Sequence, residues 1–291
     1  MEVKVVAPFG FCLGVTKAIQ IAKKAKEEHP NESVYVIGDL VHNERIIESL
    51  RQKGLTVLEG DSVSLEKQLL ALPERSIIVF TAHGHAPKWD EIAKQKEMIV
   101  YDATCVFVED NEALIRKEIE RGGEVFYIGV KHHAEADAAV AIAPNKIHLI
   151  TDKNSVNSFV CHVNDPLIVC QTTVSKQDIK ESLNAVLSLY PKAKIAAKRC
   201  VSTEMRQENL ERQTNDYDLV VVLGSSTSNN TQRLFAMAKQ HFTNATVWRV
   251  LSADELKQKP LDSYHRALVI SGASSAASEV IAIKNVLKLY H

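Results

Sequence analysis

The feature that most constrains this chain is the alternation of short β-branched runs with amphipathic stretches along its whole length. Runs rich in valine and isoleucine stand at 3–7, 33–37, 76–80, 98–101, 124–128, 166–169, 218–223, 246–250 and 267–270. Between them lie amphipathic segments such as 16–28, 109–121, 176–189 and 278–289. Adjacent parallel strands need a crossover long enough to hold a helix, so this alternation predicts an α/β chain with mostly parallel sheets. No Gly/Ser-rich or Pro-rich linker divides it, so any lobes are closely joined.

At 291 residues the chain is long enough for a sizeable core in one large domain or two to three lobes. Hydrophobic residues at 45% and charged residues at 24% exclude disordered and fibrous classes. With 35 basic and 36 acidic residues the net charge is −1, which gives no electrostatic case for nucleic acid or an anionic membrane surface. No apolar run reaches spanning length, and Met1-Glu2-Val3-Lys4 lacks the pattern of a signal peptide, so a cytoplasmic protein is expected. Five cysteines, odd in number and widely spread, argue against a disulfide framework. Metal binding or catalysis is the better reading for any that are special.

Three polar series share a period. Cys12, Cys105 and Cys200 lie in or near strand-to-helix connections and are 93 and 95 residues apart. His42, His133 and Ser228 are 91 and 95 apart, and His83, Thr172 and Ser274 are 89 and 102 apart. The spacing suggests three similar α/β lobes, at 1–103, 104–199 and 200–291, each giving one cysteine and two polar loops. Ligands of parallel α/β sheets bind beyond the carboxyl ends of the strands. Three lobes in a pseudo-threefold arrangement would aim all nine loops at one central cavity.

Singly, each signal has a bland alternative. A lone intracellular cysteine is most often a small buried hydrophobe, the reading kept for Cys161 and Cys170. Cys12 is framed by Gly10 and Gly14, and Cys105 ends "YDATC" just past a strand. No C-x-x-C pair is present, so metal binding and inert burial both stand on the cysteines alone. Three converging thiolates would hold zinc, or three irons of a cubane cluster, with one position open to substrate. His42, His83 and His133 are surface or core histidines unless their polar loops converge. "SSTSNN" at 225–230 and "ISGASS" at 270–275 are either ordinary turns or donor-rich helix N-termini suited to phosphate. In "HHAEADA", Glu135 either complements a helix dipole or donates a proton beside His133.

With these residues assembled, the sequence resembles the LytB/IspH family, the 4-hydroxy-3-methylbut-2-enyl diphosphate reductases of non-mevalonate isoprenoid synthesis. The resemblance runs nearly end to end, through "GFCLGV" with Cys12, "VHN" with His42, "AHG" with His83 and "DATC" with Cys105. It continues through "HAE" with His133 and Glu135, "QTT" with Thr172, Cys200 with Thr203 and "RQ" at 206–207, "GSSTSNN" and "GAS". It implies three α/β lobes around a 4Fe–4S cluster held by Cys12, Cys105 and Cys200, with one open iron. It further implies a diphosphate held by His42, His83, Ser228, Asn229, Asn230 and Ser274, and Glu135 as proton donor assisted by Thr172 and His133. Electrons would come from an external donor such as a ferredoxin or flavodoxin.

The chain departs from the family pattern in residues that shape loops. Val106 and Ala134 stand where the family usually has proline, Ala138 where it has glycine, and Thr227-Ser228-Asn229-Asn230 where it has Asn-Ser-Ser-Asn. The proline after "GAS" is replaced within Ser275-Ala276-Ala277. Three other readings stay open at this point. They are an enzyme for another diphosphate, a cluster-bearing redox sensor without turnover, and a zinc hydrolase using the same thiolates.

Overall fold

The computed structural model describes residues 1–196 and 200–290, the side chains of Lys176 and Asp178 excepted. Residues 197–199, which lead into Cys200, lie outside the described residues. The alternation is complete. In order, β1 (Glu2–Val5) leads to α1 (Leu13–Glu28), β2 (Val34–Ile37) to α2 (Glu44–Gln52), and β3 (Leu55–Leu58) to α3 (Ser62–Ala71). Then β4 (Ile77–Phe80) leads to α4 (Pro87–Gln95), β5 (Ile99–Asp102) to α5 (Val106–Glu120), and β6 (Val125–Ile128) to α6 (Ala134–Ala141). β7 (Ile147–Ile150) leads to a 3-10 turn at Ser155–Ser158, β8 (Leu167–Cys170) to α7 (Lys176–Leu189), and β9 (Lys194–Ile195) to α8 (Val201–Glu211). Finally β10 (Leu219–Leu223) leads to α9 (Asn229–His241), β11 (Thr246–Val250) to α10 (Ala253–Lys257), and β12 (Arg266–Ser271) to α11 (Ala277–Lys288).

The strands form three parallel four-stranded sheets, ordered β3-β2-β4-β5, β7-β6-β8-β9 and β11-β10-β12-β1. Numbered by appearance within each lobe, all three read second, first, third, fourth. In the last sheet the fourth place is taken by β1, whose Val3 pairs with Ala267 and Val5 with Val269. Central strands buried on both faces read as continuous apolar runs, as parallel sheets require: "IIVF" in β4, "VFYI" in β6 and "LVVVL" in β10. The chain divides into two compact units. Met1–Thr16, His42–Glu44 and Cys200–His291 form one around the β11-β10-β12-β1 sheet; Lys17–Val41 and Arg45–Arg199 form the other and hold the remaining two sheets.

The strand order decides where functional groups can stand. When the connections leave the first and third strands in opposite directions, a crevice opens beyond their carboxyl ends. The three polar series fall on this pattern. His42, His133 and Ser228 follow the first strands β2, β6 and β10, and His83, Thr172 and Ser274 follow the third strands β4, β8 and β12. Cys105, Cys200 and Cys12 follow the fourth strands β5, β9 and β1, and each immediately precedes a helix.

Two departures from the family pattern find their physical reason here. Val106 and Ala134 are the first residues of α5 and α6, where proline is favoured because the first N–H has no intrahelical partner. The preceding residues are extended, Cys105 at φ −70°, ψ 136° and His133 at φ −96°, ψ 134°, as a following proline requires. Valine and alanine thus keep the backbone that proline would impose. V106P and A134P are each expected to raise stability by about 0.4–1 kcal/mol through the unfolded chain. Denaturant titration of the two variants measures this, and a loss of stability in either would show that the amide is needed.

Candidate active site

Beyond β6 and β8, the switch point of the second sheet is built around one buried carboxyl. Glu135 stands in the first turn of α6 and is 3% exposed. Its Oε1 accepts from the Thr172 amide at 2.8 Å and from the Tyr127 hydroxyl at 3.3 Å, and its Oε2 accepts from Thr172 Oγ1 at 2.8 Å. Burial pushes its pKa up to about 7, against the opposing pull of the Thr172 and Tyr127 hydrogen bonds. His133 caps the same helix, with Nδ1 accepting the Glu135 amide at 3.1 Å. That bond leaves Nε2 as the protonated nitrogen of the neutral ring. Gln171 braces the floor, accepting from the Val130 amide at 2.8 Å and donating to Thr173 Oγ1 at 3.2 Å.

His83 enters the same unit from the loop after β4. Its ring meets that of His133 edge-on, with centroids 5.7 Å apart. Gly84, at φ +81°, allows this turn; a Cβ there would come within 2.5 Å of Glu112 Oε1. Glu112 is a second carboxyl raised to about 7, chiefly by burial, with Asp102 and Glu135 adding to the effect and Arg116 opposing it. Cys105 completes this group. The Asp102 carboxylate accepts from the Thr104 amide at 2.8 Å and hydroxyl at 2.6 Å, shaping the "DATC" turn. The Cys105 amide then donates to Ala82 O at 3.1 Å, and Cys105 becomes the N-cap of α5.

The other unit repeats the scheme with different chemistry. Ser228 caps α9 by accepting from the Thr231 amide at 3.3 Å, and Asn229, half-buried, is its first residue. Asn230 is buried, accepting from the Ala273 amide at 3.0 Å and donating to Thr203 Oγ1 at 3.3 Å. This ties the loop after β10 to the loop after β12. Ser274 Oγ donates to His42 O at 3.1 Å, and Asn43 Nδ2 donates to Ser274 O at 2.6 Å. Among these groups stands the α9 N-terminus, where the aligned peptide dipoles leave partial positive charge that suits an anion. Cys12 repeats the Cys105 bond, its amide donating to Ala273 O at 2.9 Å.

Cys12 and Cys200 share a buried arginine. Arg206 donates through Nη2 to Gly10 O at 2.7 Å and through Nε to Ser271 O at 3.2 Å. Burial lowers its pKa, while the thiols of Cys12 and Cys200 favour its charged form. Helix N-terminal amides also face sulfur: Val15 N–H donates to Cys12 Sγ at 3.4 Å, and those of Ser202 and Thr203 favour thiolate at Cys200 against its burial. Cys170 is fully buried in the core beneath β6 and β8.

The site-bearing residues therefore fall into two groups, each internally bonded. Cys105, His83, His133, Glu135 and Thr172 lie in one unit, and Cys12, Cys200, His42, Ser228, Asn229, Asn230 and Ser274 in the other. Sequence reading gave no role to Tyr127, Glu112, Asn43 or Gln171, and Arg206 figured only as a family mark. Tyr127 sits in an apolar strand and Glu112 in a charged helix, so neither carries a local signal. Asn43 follows His42 and Arg206 follows Cys200 by six, and those adjacencies were the available clues.

With this geometry in view, the comparisons are specific. The family model for LytB protein matches residues 3–288. A 4-hydroxy-3-methylbut-2-enyl diphosphate reductase of Halalkalibacterium halodurans is 32% identical over 97% of this chain and 90% of its own length. The reductase of the same name from Bacillus subtilis is 31% identical over 94% and 87%. Among solved structures, the E-1-hydroxy-2-methyl-but-2-enyl-4-diphosphate reductase from Plasmodium falciparum superposes with a TM-score of 0.89 at 26% identity, covering 99% of this chain and 88% of that one. A fold built of three parallel four-stranded sheets, a match across nearly every residue, and relatives covered almost end to end place this chain in the LytB family.

Proposed function

We propose that this protein reductively removes the hydroxyl of 4-hydroxy-3-methylbut-2-enyl diphosphate, giving isopentenyl and dimethylallyl diphosphate. What carries the reading is Glu135, a buried carboxyl with a pKa near 7, held by Thr172 and Tyr127 beside His133. A general acid is most effective when its pKa lies near the working pH. A sensor that only binds would need no such group.

The LytB family carries an iron–sulfur cluster. The residues here fit one of the 4Fe–4S type: Cys105 and Cys200 are N-caps, Cys12 directly precedes α1, and Arg206 offsets thiolate charge at Cys12 and Cys200. Cys12, Cys105 and Cys200 would bind three irons, leaving the fourth open. When bound, such a cluster supplies electrons one at a time and a Lewis-acidic position. Ser228, Asn229, Asn230 and Ser274, with His42 and His83, hold the diphosphate, so that the hydroxyl is positioned before chemistry begins. His133 and Thr172 orient the hydroxyl and Glu135. Glu135 gives its proton to the departing oxygen as the C–O bond breaks, and water leaves. Two electrons and a second proton form the new C–H bond. The electrons come from an external donor of the ferredoxin or flavodoxin class. The protein works in the reducing cytoplasm as three repeats divided at 103 and 199, the first lending β1 to the sheet of the third. No helix among the described residues is long and apolar enough to cross a membrane.

Cysteine variants test the ligand set. C12S, C105S and C200S are each expected to lose most of their iron and visible absorption after anaerobic reconstitution, whereas C170S keeps both. Equal loss in C170S would contradict the assignment. For the anion loops, each hydrogen bond to a charged group contributes about 1.5–3 kcal/mol. Pyrophosphate should therefore bind the N230A/S274A chain at least about 100-fold more weakly in calorimetry; equal affinity would remove the loops from the diphosphate site.

Glu135 gives two measurable outcomes. E135Q should keep its iron and bind substrate, while kcat under strong reductant falls about 10²- to 10⁴-fold. Unchanged turnover would place the acid elsewhere. The second outcome concerns stability. A folded pKa of about 7 lies above the ordinary 4.5, so the protonated carboxyl's contribution is fully present below 4.5 and is lost as pH rises through 7. Denaturant midpoints should thus show wild type losing stability relative to E135Q between pH 5 and 8. A constant difference would contradict the raised pKa.

A further inference from the structure

The second sheet carries another cluster of metal-ligating side chains at its opposite end. Glu124 immediately precedes β6, and His148 is the second residue of β7, paired in register with Phe126. These are the amino ends of the strands, one full strand length from the loops that hold Glu135 and Thr172, on the order of 10–15 Å. Glu124 and His148 are 5% and 8% exposed, and His148 Nε2 lies 2.7 Å from Glu124 Oε2. Phe126 and Phe159 pack against the His148 ring, with centroids at 5.3 and 5.2 Å.

The segment after the 3-10 turn crosses this pair. The Cys161 amide donates to the Tyr190 hydroxyl at 3.3 Å, and its thiol donates to Val163 O at 3.6 Å. The His162 amide donates to Glu124 Oε1 at 2.9 Å, and its ring Nδ1 lies 3.2 Å from the same oxygen. One ligand atom each from Glu124, His148 and Cys161 lies within 4.8 Å of the others.

We propose that Glu124, His148 and Cys161 bind a zinc-class transition-metal ion, with the exposed His162 ring closing the fourth position. Sulfur, nitrogen and oxygen donors together select a borderline-soft tetrahedral ion over magnesium or calcium, which take oxygen. Bonds of about 2.0–2.3 Å in a tetrahedron set ligand atoms roughly 3.3–3.8 Å apart. The 2.7 Å pair must open and the 4.8 Å limit must close by about 1 Å each, which side-chain rotation provides. Thiolate and carboxylate balance the dication. The Cys161 thiol proton leaves to solvent, His148 ligates through Nε2 as the neutral ring with its proton on Nδ1, and nothing is oxidised or reduced. Packing against Phe126 and Phe159 holds the His148 ring in place. With four protein ligands the site is closed and structural, tying the segment 159–165 to the β6 and β7 edge. It shares no ligand with the cysteines of the reductive site.

The full chain with its iron–sulfur cluster, stripped of loose metal by a mild chelator, is equilibrated with one equivalent of zinc and desalted. About one zinc per chain should remain, while H148A and C161S each keep less than about a tenth of that, with iron content unchanged. Absence of retained zinc in wild type, or equal retention in both variants, would overturn the site. Zinc X-ray absorption of wild type is independent of any folding defect in the variants. One sulfur neighbour at about 2.3 Å supports the site, and a shell of nitrogen and oxygen alone refutes it.

Discussion

The placing of every proposed site residue depends on how the parallel strands are ordered. A parallel strand cannot be followed by a tight turn, so each lobe spends its connections on helices, and those helices leave the first and third strands in opposite directions. The crevice between them leaves loop residues clear of covering helices. Three sheets with the same order therefore create the same vacancy three times. His133 and Thr172 flank it in one sheet, Ser228 and Ser274 in another, and His42 and His83 follow the corresponding strands of the third. The fourth strand of each sheet carries a cysteine directly before the next helix. The equivalence extends to single bonds, since the amides of Cys105 and Cys12 donate to the equivalent carbonyls of Ala82 and Ala273.

Within this frame, chemistry is set by competition between burial and hydrogen bonding. At Glu135, desolvation is the largest influence and favours the neutral acid, although three donors surround the carboxyl. The balance leaves a proton available near neutral pH. At Cys200 burial again favours the neutral form, but the amides of Ser202 and Thr203 supply the interactions a thiolate ligand keeps. At the α9 N-terminus the cap residues Ser228 and Asn230 are buried and uncharged. In the proposed diphosphate site, the positive end of the α9 dipole and the Asn230 and Ser274 side chains await a partner that brings the negative charge.

The fold and the candidate site were both legible in large part because the residues proposed for the site sit on local features repeated at long period. Cysteines before helices, histidines after strands and a Ser/Asn loop before α9 are visible one at a time, and their common spacing of about ninety to a hundred residues follows from the repeated four-stranded unit. Three things were not legible. The edge strands β3 ("LTVL") and β7 ("IHLI") break their apolar runs with Thr56 and His148, and β9 has only two residues, so no run stood out. The pairing of β1 with β12 joins the two ends of the chain, and nothing local in "EVKV" encodes a partner so far away. Tyr127, Arg206 and Glu112 draw their roles from burial, which converts an ordinary strand or helix residue into a hydrogen-bond donor, a counter-charge or a raised carboxyl.

The central proposal is that Cys12, Cys105 and Cys200 serve one cluster. Anomalous diffraction at the iron edge, from anaerobically grown crystals of the reconstituted chain, tests it most directly. The account predicts a single compact iron peak bonded by the sulfurs of Cys12, Cys105 and Cys200 and by no other cysteine. Iron that leaves any of these three thiols unbonded, or that is bonded by Cys161 or Cys170, would contradict it.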